Sequence, residues 1–133
     1  MQQAINEALK ADPNKVYPNP LVGCVIVKND KIIGRGHHKA FGTNHAEVNA
    51  IESLKTPVRD ADLYVTLEPC QMCAGALYWS RISKIYFGAE DPKRGFKKLG
   101  TKLHPKTKVY GGILQNECKD ILEKFFISRR NLN

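Results

Sequence analysis

The sequence contains no hydrophobic run long enough to cross a membrane. Its longest apolar stretch, LVGCVIV at residues 21–27, falls well short of the roughly 20 residues that a transmembrane helix needs, and its length suits a buried strand. The first 15 residues also lack the continuous apolar segment of a signal peptide. We therefore predict a cytoplasmic protein that has no membrane partner.

Cysteine is scarce, which makes its spacing informative. The four cysteines are Cys24, Cys70, Cys73 and Cys118, and the middle two form a Cys-x-x-Cys motif. Because cytoplasmic cysteines are kept reduced, this motif is more typical of a metal or redox site than of a structural disulfide. Repeats, linkers and low-complexity stretches are absent, and a length of 133 residues suits one domain. We therefore predict a single domain over residues 1–133.

Acidic residues are missing from one part of the chain. The net charge is +8, and the segment 93–108 carries seven basic residues without an Asp or a Glu. A second basic group, which includes Arg129 and Arg130, lies near the C-terminus. Such clustering is expected of a surface that binds a polyanion, although basic residues also serve solubility alone. Lys97, Lys98, Arg129 and Arg130 are therefore our candidates for contacts with nucleic acid.

Hydrophobic periodicity predicts an alternation of helices and strands. We expect a helix over residues 1–11, a helix that Asn44 caps and that stops before Pro57, a helix that begins at Pro69 and reaches Ser80, and a last helix from Asn116. The predicted strands cover residues 23–28, 31–37, 62–67, 85–88 and 108–113, and Asn29-Asp30 forms a hairpin turn. This order predicts an α/β fold, a three-layer α/β/α sandwich around a mixed five-stranded sheet.

Two short motifs stand at the start of two of these predicted helices. His45 opens one helix, and Cys70 and Cys73 lie in the first turn of another, where residues three apart share a face. A helix N-terminus favours the thiolate form in which cysteine binds metals. One imidazole and two thiolates suit zinc, and three protein ligands leave the fourth tetrahedral position open, as in catalytic zinc sites.

Glu47 follows His45 by two residues and therefore projects to another side of the helix. We predict that Glu47 does not bind the metal but accepts and delivers a proton beside it. Two alternatives stay open. Glu47 serves only in a capping box with Asn44, or the cysteine pair holds a structural zinc whose shell Cys24 completes. Cys118 shares a helical face with apolar residues, which predicts a place in the core.

His-x-Glu followed by Pro-Cys-x-x-Cys is the signature of zinc-dependent nucleobase deaminases. On this motif, His45-Ala-Glu47 with Pro69-Cys70-Gln-Met-Cys73, the whole chain resembles the cytidine-deaminase-like superfamily. The resemblance implies that superfamily's fold, one zinc ion (Zn2+) per chain and hydrolytic removal of an amine from a base. It also implies that Glu47 protonates the ring nitrogen and then the leaving ammonia.

The two halves of the chain resemble different branches of this superfamily. From Leu63 onward, LYVTLEPCQMCAGALYWSRISKIYFGAEDPKRG and the ending LQNECKDILEKFFISRR are similar to bacterial tRNA adenosine deaminases. That similarity implies tRNA as the partner, a last helix near the RNA, and a homodimer. The segment ALYWSR is also similar to bacterial guanine deaminases.

The first half, YPNPLVGCVIVKNDKIIGRGHHKAFGTNHAEVNAI, is similar to the deaminase domain of riboflavin biosynthesis, which acts on a phosphorylated aminopyrimidine. Asn19 and His38 correspond to substrate contacts in that branch. From the residues alone, Asn19 also fits a turn between two prolines and His38 a solvated loop.

We therefore expect a zinc-dependent enzyme that converts adenosine to inosine in tRNA. A small substrate is the alternative, namely an aminopyrimidine nucleotide of the riboflavin pathway, guanine or cytosine. A zinc-stabilised RNA-binding module without turnover is a third possibility, which would require a fourth protein ligand and would leave Glu47 dispensable.

Overall fold

The computed structural model describes residues 1–130 of the chain. The elements follow in the order α1 (Gln2–Ala8), α2 (Pro13–Val16), β1 (Gly23–Lys28), β2 (Lys31–His37), α3 (Ala46–Glu52), β3 (Asp62–Leu67), α4 (Gln71–Ser80), β4 (Lys84–Ala89), β5 (Lys108–Tyr110) and α5 (Gln115–Arg130). The sheet order is β2-β1-β3-β4-β5. Strand β1 runs antiparallel to β2 and β3, whereas β3, β4 and β5 are parallel. The predicted mixed five-stranded sheet is confirmed.

The hairpin between β1 and β2 turns at Asn29 and Asp30, as the sequence predicts. Both residues have positive φ angles, 52° and 62°, which a two-residue type I′ turn requires. Asn and Asp tolerate this left-handed region better than most other residues, because their short polar side chains can bond locally. The turn therefore sets the antiparallel start of the sheet.

Apolar residues of the strands divide between two sides of the sheet. On one side, Leu63, Ile85 and Phe87 pack in a fully buried cluster with Ala46 of α3 and Leu77 of α4. On the other side, α1 and α5 contribute to a second cluster, whose buried members are Ile5, Ala89 and Cys118. Burying apolar surface on both faces is the main driving force for this three-layer arrangement.

Two strands approach the helices so closely that they require glycine. A Cβ on Gly36 of β2 would lie 2.4 Å from the Ala50 nitrogen and 2.6 Å from the Ala46 oxygen of α3. A Cβ on Gly23 of β1 would lie 2.1 Å from the Ala4 oxygen of α1. The backbones of β2 and α3 are therefore in direct contact, which fixes the distance of α3 from the sheet.

Some predicted boundaries are wrong near the ends of the chain. The first helix ends at Ala8, and α2 follows as a separate turn, with Pro13 as its first residue and the Asp12 carboxylate accepting the Asn14 N–H at 2.9 Å. Strand β5 ends at Tyr110 and not at 113, because two glycines follow and Gly112 has a φ of 79°. Helix α5 begins at Gln115, one residue before the predicted start at Asn116.

The predicted caps of the two central helices are also wrong. His45, and not Asn44, is the N-cap of α3, and no side-chain bond caps that helix. The Asn44 amide instead donates to the Glu52 carboxylate at 3.3 Å. Pro69 precedes the N-cap of α4, which is Cys70. No helix within residues 1–130 is both long and apolar enough to cross a membrane.

Candidate metal centre and active site

The starts of two helices bring the three predicted metal ligands together. His45 occupies the N-cap position of α3 and Cys70 that of α4, and Cys73 lies three residues after Cys70. The His45 Nδ1 atom lies 3.5 Å from the Cys70 sulfur and 3.4 Å from the Cys73 sulfur. All three donor atoms lie within 4.8 Å of one another, and Cys73 is buried whereas the other two are partly exposed. The cluster is therefore closed at the back and open on one side.

These separations fit a tetrahedral zinc ion. With Zn–S bonds of about 2.3 Å and Zn–N bonds of about 2.1 Å, a tetrahedral angle separates a sulfur and a ring nitrogen by about 3.6 Å. Within the part of the chain that the structure describes, no further His, Cys, Asp or Glu joins this group. Cys24 and Cys118 are buried in the apolar clusters on the two sides of the sheet. The donor set thus matches an open site and does not match a closed structural shell.

The surroundings of Cys70 favour its thiolate form. The pKa of its thiol is lowered to about 3, first by a hydrogen bond from Cys73 and then by the His45 ring, against the opposing effect of burial. The same hydrogen bond, together with burial, raises the pKa of the Cys73 thiol. The hydrogen bond to Cys70 raises the pKa of His45. Thiolate is the form in which cysteine binds zinc.

Glu47 lies beside the metal cluster in the second position of α3. Its side chain is only 4% exposed, and burial raises its pKa to about 7. Its side chain lines the same cavity as His45 and Cys70. Because α3 has no capping side-chain bond, the capping-box alternative for Glu47 is not observed. A buried carboxyl group with a pKa near neutrality can both accept and donate a proton.

A cavity of about 100 Å³ opens in front of this cluster, and both residues of the riboflavin-type motif line it. The Asn19 amide lies 3.1 Å from His38 Nε2, and His38 Nδ1 lies 3.1 Å from the Asn44 carbonyl oxygen. A carbonyl oxygen only accepts, so Nδ1 carries the proton and Nε2 accepts from Asn19. His38 is 3% exposed and packs edge-on against the His45 ring. It is therefore not a solvated loop histidine.

The four basic candidates differ in their surroundings. Lys97, Lys98 and Arg130 are exposed, and the Lys97 ammonium lies over the Phe87 ring at 4.8 Å. Arg129 is half-buried, donates to the Asn14 side-chain oxygen at 2.7 Å, and lies over two aromatic rings at 5.6 and 6.0 Å. The guanidinium of Arg129 thus already has a hydrogen-bond partner within the protein, whereas the other three side chains are open to solvent.

The sequence analysis missed three polar residues that line the cavity, namely Glu68, Asp91 and Arg94. Glu68 directly follows β3 and Asp91 comes two residues after β4. These strands are parallel, so their carboxyl ends meet at one edge of the sheet, where α/β proteins place their binding sites. Polar residues directly after adjacent parallel strands were the signal that could have identified Glu68 and Asp91. Arg94 was counted only within the basic segment.

Curated relatives fall into two groups. A tRNA-specific adenosine deaminase from Agrobacterium fabrum is 36% identical in an alignment of 145 positions, gaps included. The alignment covers 98% of this chain and 93% of that protein. The riboflavin biosynthesis protein RibD of Chlamydia muridarum is 42% identical over 123 residues, which cover 84% of this chain and 32% of RibD. The chain thus spans about a third of the RibD relative and almost the whole tRNA-specific enzyme.

Solved structures divide in the same way. Acinetobacter baumannii RibD superposes with a TM-score of 0.83 at 36% identity, covering 93% of this chain and 37% of that one. A structure from a study of A-to-I editing by tRNA:A34 deaminases superposes with a TM-score of 0.75 at 32% identity, covering 92% of this chain and 97% of that one. Both predicted branches are confirmed as relatives, and the cytidine-deaminase-like fold is confirmed with them.

The family itself is identified by the segment that contains the His-x-Glu and Pro-Cys-x-x-Cys motifs. Residues 1–89 match the zinc-binding region of cytidine and deoxycytidylate deaminases. This segment includes α3, the start of α4 and all three donor residues. The chain therefore belongs to the family of zinc-dependent cytidine and deoxycytidylate deaminases, which are hydrolytic aminohydrolases.

Proposed function

We propose that this protein converts adenosine to inosine in tRNA. The observation that carries the proposal is the match to a tRNA-specific adenosine deaminase over 98% of the chain and 93% of the relative, which leaves room for only a few unmatched residues. Relatives from Bacillus subtilis and Streptococcus pyogenes with the same name cover 95% of the chain at 39% and 36% identity. A base that leaves its stack in an unpaired anticodon loop is a suitable substrate for a recessed site.

We propose that His45, Cys70 and Cys73 hold the zinc ion. When bound there, zinc acts as a Lewis acid that turns water into a nucleophile near neutral pH. The separations of 3.4 and 3.5 Å between the His45 nitrogen and the two sulfurs support this assignment. The two sulfurs lie at the start of α4, whose N-terminal dipole stabilises negative charge.

Glu47 transfers protons in this proposal. Its carboxyl group is buried beside the ligands and lines the cavity, so a base bound there would lie within its reach. It would protonate the ring nitrogen of the base and then the departing amine. Asn19 and His38 orient the base, because their mutual hydrogen bond of 3.1 Å fixes both side chains on one wall of the cavity.

We assign the contacts with RNA phosphates to Lys97, Lys98 and Arg130, and we retain Arg129 as a weaker candidate. The three exposed side chains can neutralise phosphates at little cost, because among the described residues they give up no hydrogen bond or ion pair. Arg129 would have to leave its hydrogen bond with Asn14 or share it with a phosphate. A cytoplasmic location suits an RNA substrate and the four free cysteines.

We also propose a homodimer, as the resemblance to the tRNA branch implies. Two large apolar side chains on α4, Met72 and Trp79, are 63% and 83% exposed. They lie seven residues apart, which places them on the same side of the helix. Sedimentation analysis of the wild type and of Trp79→Glu tests this. A monomeric wild type at micromolar concentration would contradict the homodimer.

The decisive test of the activity is inosine formation in transcribed tRNA by zinc-loaded protein. We expect inosine at one adenosine of the anticodon loop, and far slower formation of inosine with Glu47→Gln under the same conditions. An unmodified tRNA together with ammonia release from an aminopyrimidine nucleotide would contradict the proposal and favour the second candidate.

That second candidate is deamination of the phosphorylated aminopyrimidine of riboflavin biosynthesis. The observation in its favour is the Asn19–His38 pair, which is hydrogen bonded and lines the cavity as that branch implies. The higher TM-score of the RibD structure, 0.83 against 0.75, also favours it. A non-catalytic RNA-binding module has less support, because the donor group among the described residues has three members and no fourth.

A further inference from the structure

We infer that Arg94, presented by a loop that Glu68 anchors, binds a phosphate group of the substrate at the rim of the catalytic cavity. The inference rests on the proposed function only in that the cavity deaminates a base.

The size of the cavity places the phosphate outside it. Its volume is about 100 Å³, whereas pockets that enclose a whole ligand of drug size hold roughly 300–1,000 Å³. The cavity therefore suits the ring that loses its amine, and the sugar and phosphate of a nucleotide remain at the mouth. Both candidate substrates carry such a phosphate, since the RibD relative from Thermotoga maritima is named for a phosphoribosylaminopyrimidine.

The charges of the cavity also direct a phosphate to the rim. Three carboxyl groups line the cavity, those of Glu47, Glu68 and Asp91, whereas Arg94 is the one Arg or Lys among the described residues that line it. Arg94 lines this cavity and also an adjoining groove of about 360 Å³, to which Lys93 contributes. It thus lies between the two, within reach of a chain that leaves the cavity along this groove.

Arg94 is available for an external ligand. It is exposed, and the ion pairs found within residues 1–130 join other residues: Lys10 and His37 with Glu7, and Lys124 with Asp120. Asp91, the nearest acid along the chain, accepts backbone N–H groups of the loop and forms no ion pair with the guanidinium. Arginine presents a planar fork of donors that matches two phosphate oxygens at once.

Glu68 fixes the loop on which Arg94 stands. One oxygen of its buried carboxylate accepts the Asp91 N–H and the other accepts the Lys97 N–H, both at 3.1 Å, so the carboxylate spans the loop. A Cβ on Gly95 would lie 2.4 Å from this carboxylate, which means that the loop passes directly over it.

The loop is also joined to the segment that precedes α4. The Phe96 N–H donates to the Pro69 oxygen at 2.9 Å, and Gly95 forms a bridge with Cys70. Because Cys70 is one of the three metal donors, this bridge joins the loop directly to the metal cluster. Glu68 is thus a positioning residue that sets the distance between Arg94 and the reacting base.

The test uses pairs of substrates that differ only at one phosphate group. The first pair is a stem-loop RNA with a target adenosine, intact or with a methylphosphonate at one linkage beside that adenosine, each linkage in turn. The second pair is the aminopyrimidine nucleotide and its dephosphorylated nucleoside. The enzymes, all loaded with zinc, are wild type, Arg94→Ala, Arg94→Lys, Glu68→Gln and the double variant Arg94→Ala/Glu68→Gln. Lys102→Ala, which removes a charge from the same basic segment away from the cavity, is the control.

We expect Arg94→Ala to raise KM about ten- to a hundredfold on the phosphate-bearing substrate, as for loss of a charged hydrogen bond. On the partner that lacks the contacted phosphate, Arg94→Ala should have no effect. Arg94→Lys should recover part of the loss, and Lys102→Ala should not distinguish the two members of a pair. Glu68→Gln should reproduce the KM effect with zinc content unchanged, and should add little in the double variant because both residues act on one contact.

Three outcomes are informative. If Arg94→Ala changes KM equally for both members of each pair, or not at all, the inference fails while the proposed function stands. If wild type acts on the aminopyrimidine nucleotide but not on RNA, and Arg94→Ala discriminates the second pair, the proposed function fails and the inference stands. Turnover of free bases alone, with no preference for a phosphate, overturns both.

Discussion

The floor and the rim of the catalytic cavity are built by different physical means. The floor consists of two helix starts, whose caps and first turn hold three donor atoms within 4.8 Å and a buried glutamate beside them. The rim consists of loop residues. Asn19 and His38 are hydrogen bonded to each other and His38 also to the Asn44 carbonyl oxygen, whereas the 91–97 loop is held by two hydrogen bonds to Glu68, all at 3.1 Å. In the proposed function, the floor supplies the groups for hydrolytic deamination and the rim selects the molecule that is deaminated.

This difference explains why relatives with different substrates match the same chain. The tRNA-specific and RibD relatives are 36% and 42% identical to it, and both groups superpose with TM-scores of at least 0.75. A fold and a metal floor can be common to proteins whose rims recognise different molecules. Experiments that alter the floor should therefore abolish turnover of any substrate, and experiments on the rim should change the preference among substrates.

Removal of a metal ligand should have the largest effect, because the donor group that holds the zinc at the cavity floor then has only two members. We expect Cys70→Ala and Cys73→Ala to lose zinc and to reduce deamination below detection on every substrate, and also to lower the unfolding temperature, since metal binding contributes to folding. Elemental analysis, activity and thermal unfolding measure this. Cys118→Ala, which changes a buried cysteine outside the donor group, is the control and should keep full zinc. Full zinc occupancy in Cys70→Ala would contradict the ligand assignment.

Glu47→Gln should have the next largest effect and should separate the proton-transfer group from the ligands. We expect zinc near wild-type occupancy and a fall in kcat of about 10²- to 10⁴-fold, which is the usual contribution of a general acid or base. The matched control is Glu52→Gln on the same helix, where the side chain is exposed and bonds to Asn44. A variant that loses zinc together with activity would mean that Glu47 is a ligand or a structural residue.

Variants of the rim should sharpen the comparison by changing selectivity. We expect Asn19→Ala and His38→Ala to retain zinc and to lower kcat/KM about ten- to a hundredfold on the true substrate, because each leaves the other side chain without its 3.1 Å partner. Assays with tRNA and with the aminopyrimidine nucleotide show which substrate is affected. His104→Ala, away from the cavity, is the control. Equal losses on both substrates, with zinc unchanged, would assign the pair to the chemistry and not to selection.

The smallest effects should come from the exposed basic residues. We expect Lys97→Ala/Lys98→Ala and Arg130→Ala to weaken RNA binding and to lower the slope of log affinity against log salt by about one for each phosphate that the variant no longer neutralises. Zinc content and turnover of a small substrate should not change. Arg129→Ala is the matched comparison, because its bond to Asn14 predicts a loss of stability that exceeds the loss of RNA affinity. A wild-type salt slope in the double lysine variant would contradict the RNA contacts.

The sequence predicted the floor better than the rim, for a physical reason. His45-x-Glu47 and Cys70-x-x-Cys73 are local motifs at the starts of α3 and α4, and the spacing of three places the two cysteines on one side of α4. The bond from Glu68 to the Lys97 N–H joins residues 29 positions apart, so no periodicity in the sequence reveals it. The bond of Arg129 to Asn14 spans 115 positions and was missed for the same reason.

The wrong cap assignment has its own explanation. Asn44 has the strongest local preference for an N-cap, with Glu47 at the spacing of a capping box. In the structure His45 occupies the cap, and its ring points to the cysteines while Asn44 bonds to Glu52. Local propensity therefore gave way to the geometry of the site, as is common at functional positions.

The close contact between Gly36 of β2 and the backbone of α3 sets how far α3, and with it His45, lies from the sheet. Ordinary contacts begin near 3.4 Å, so a methyl group at Gly36, 2.4 Å from the Ala50 nitrogen, would push α3 outward by about 1 Å. Metal–ligand distances tolerate only about 0.2 Å, and His45 stands at the start of that helix. Gly36→Ala would thus impair zinc binding from the far side of α3, with every chemical group of the site still present. A genetic screen for inactive variants should therefore recover substitutions of Gly36 together with substitutions of the metal ligands, although Gly36 lies outside the active site.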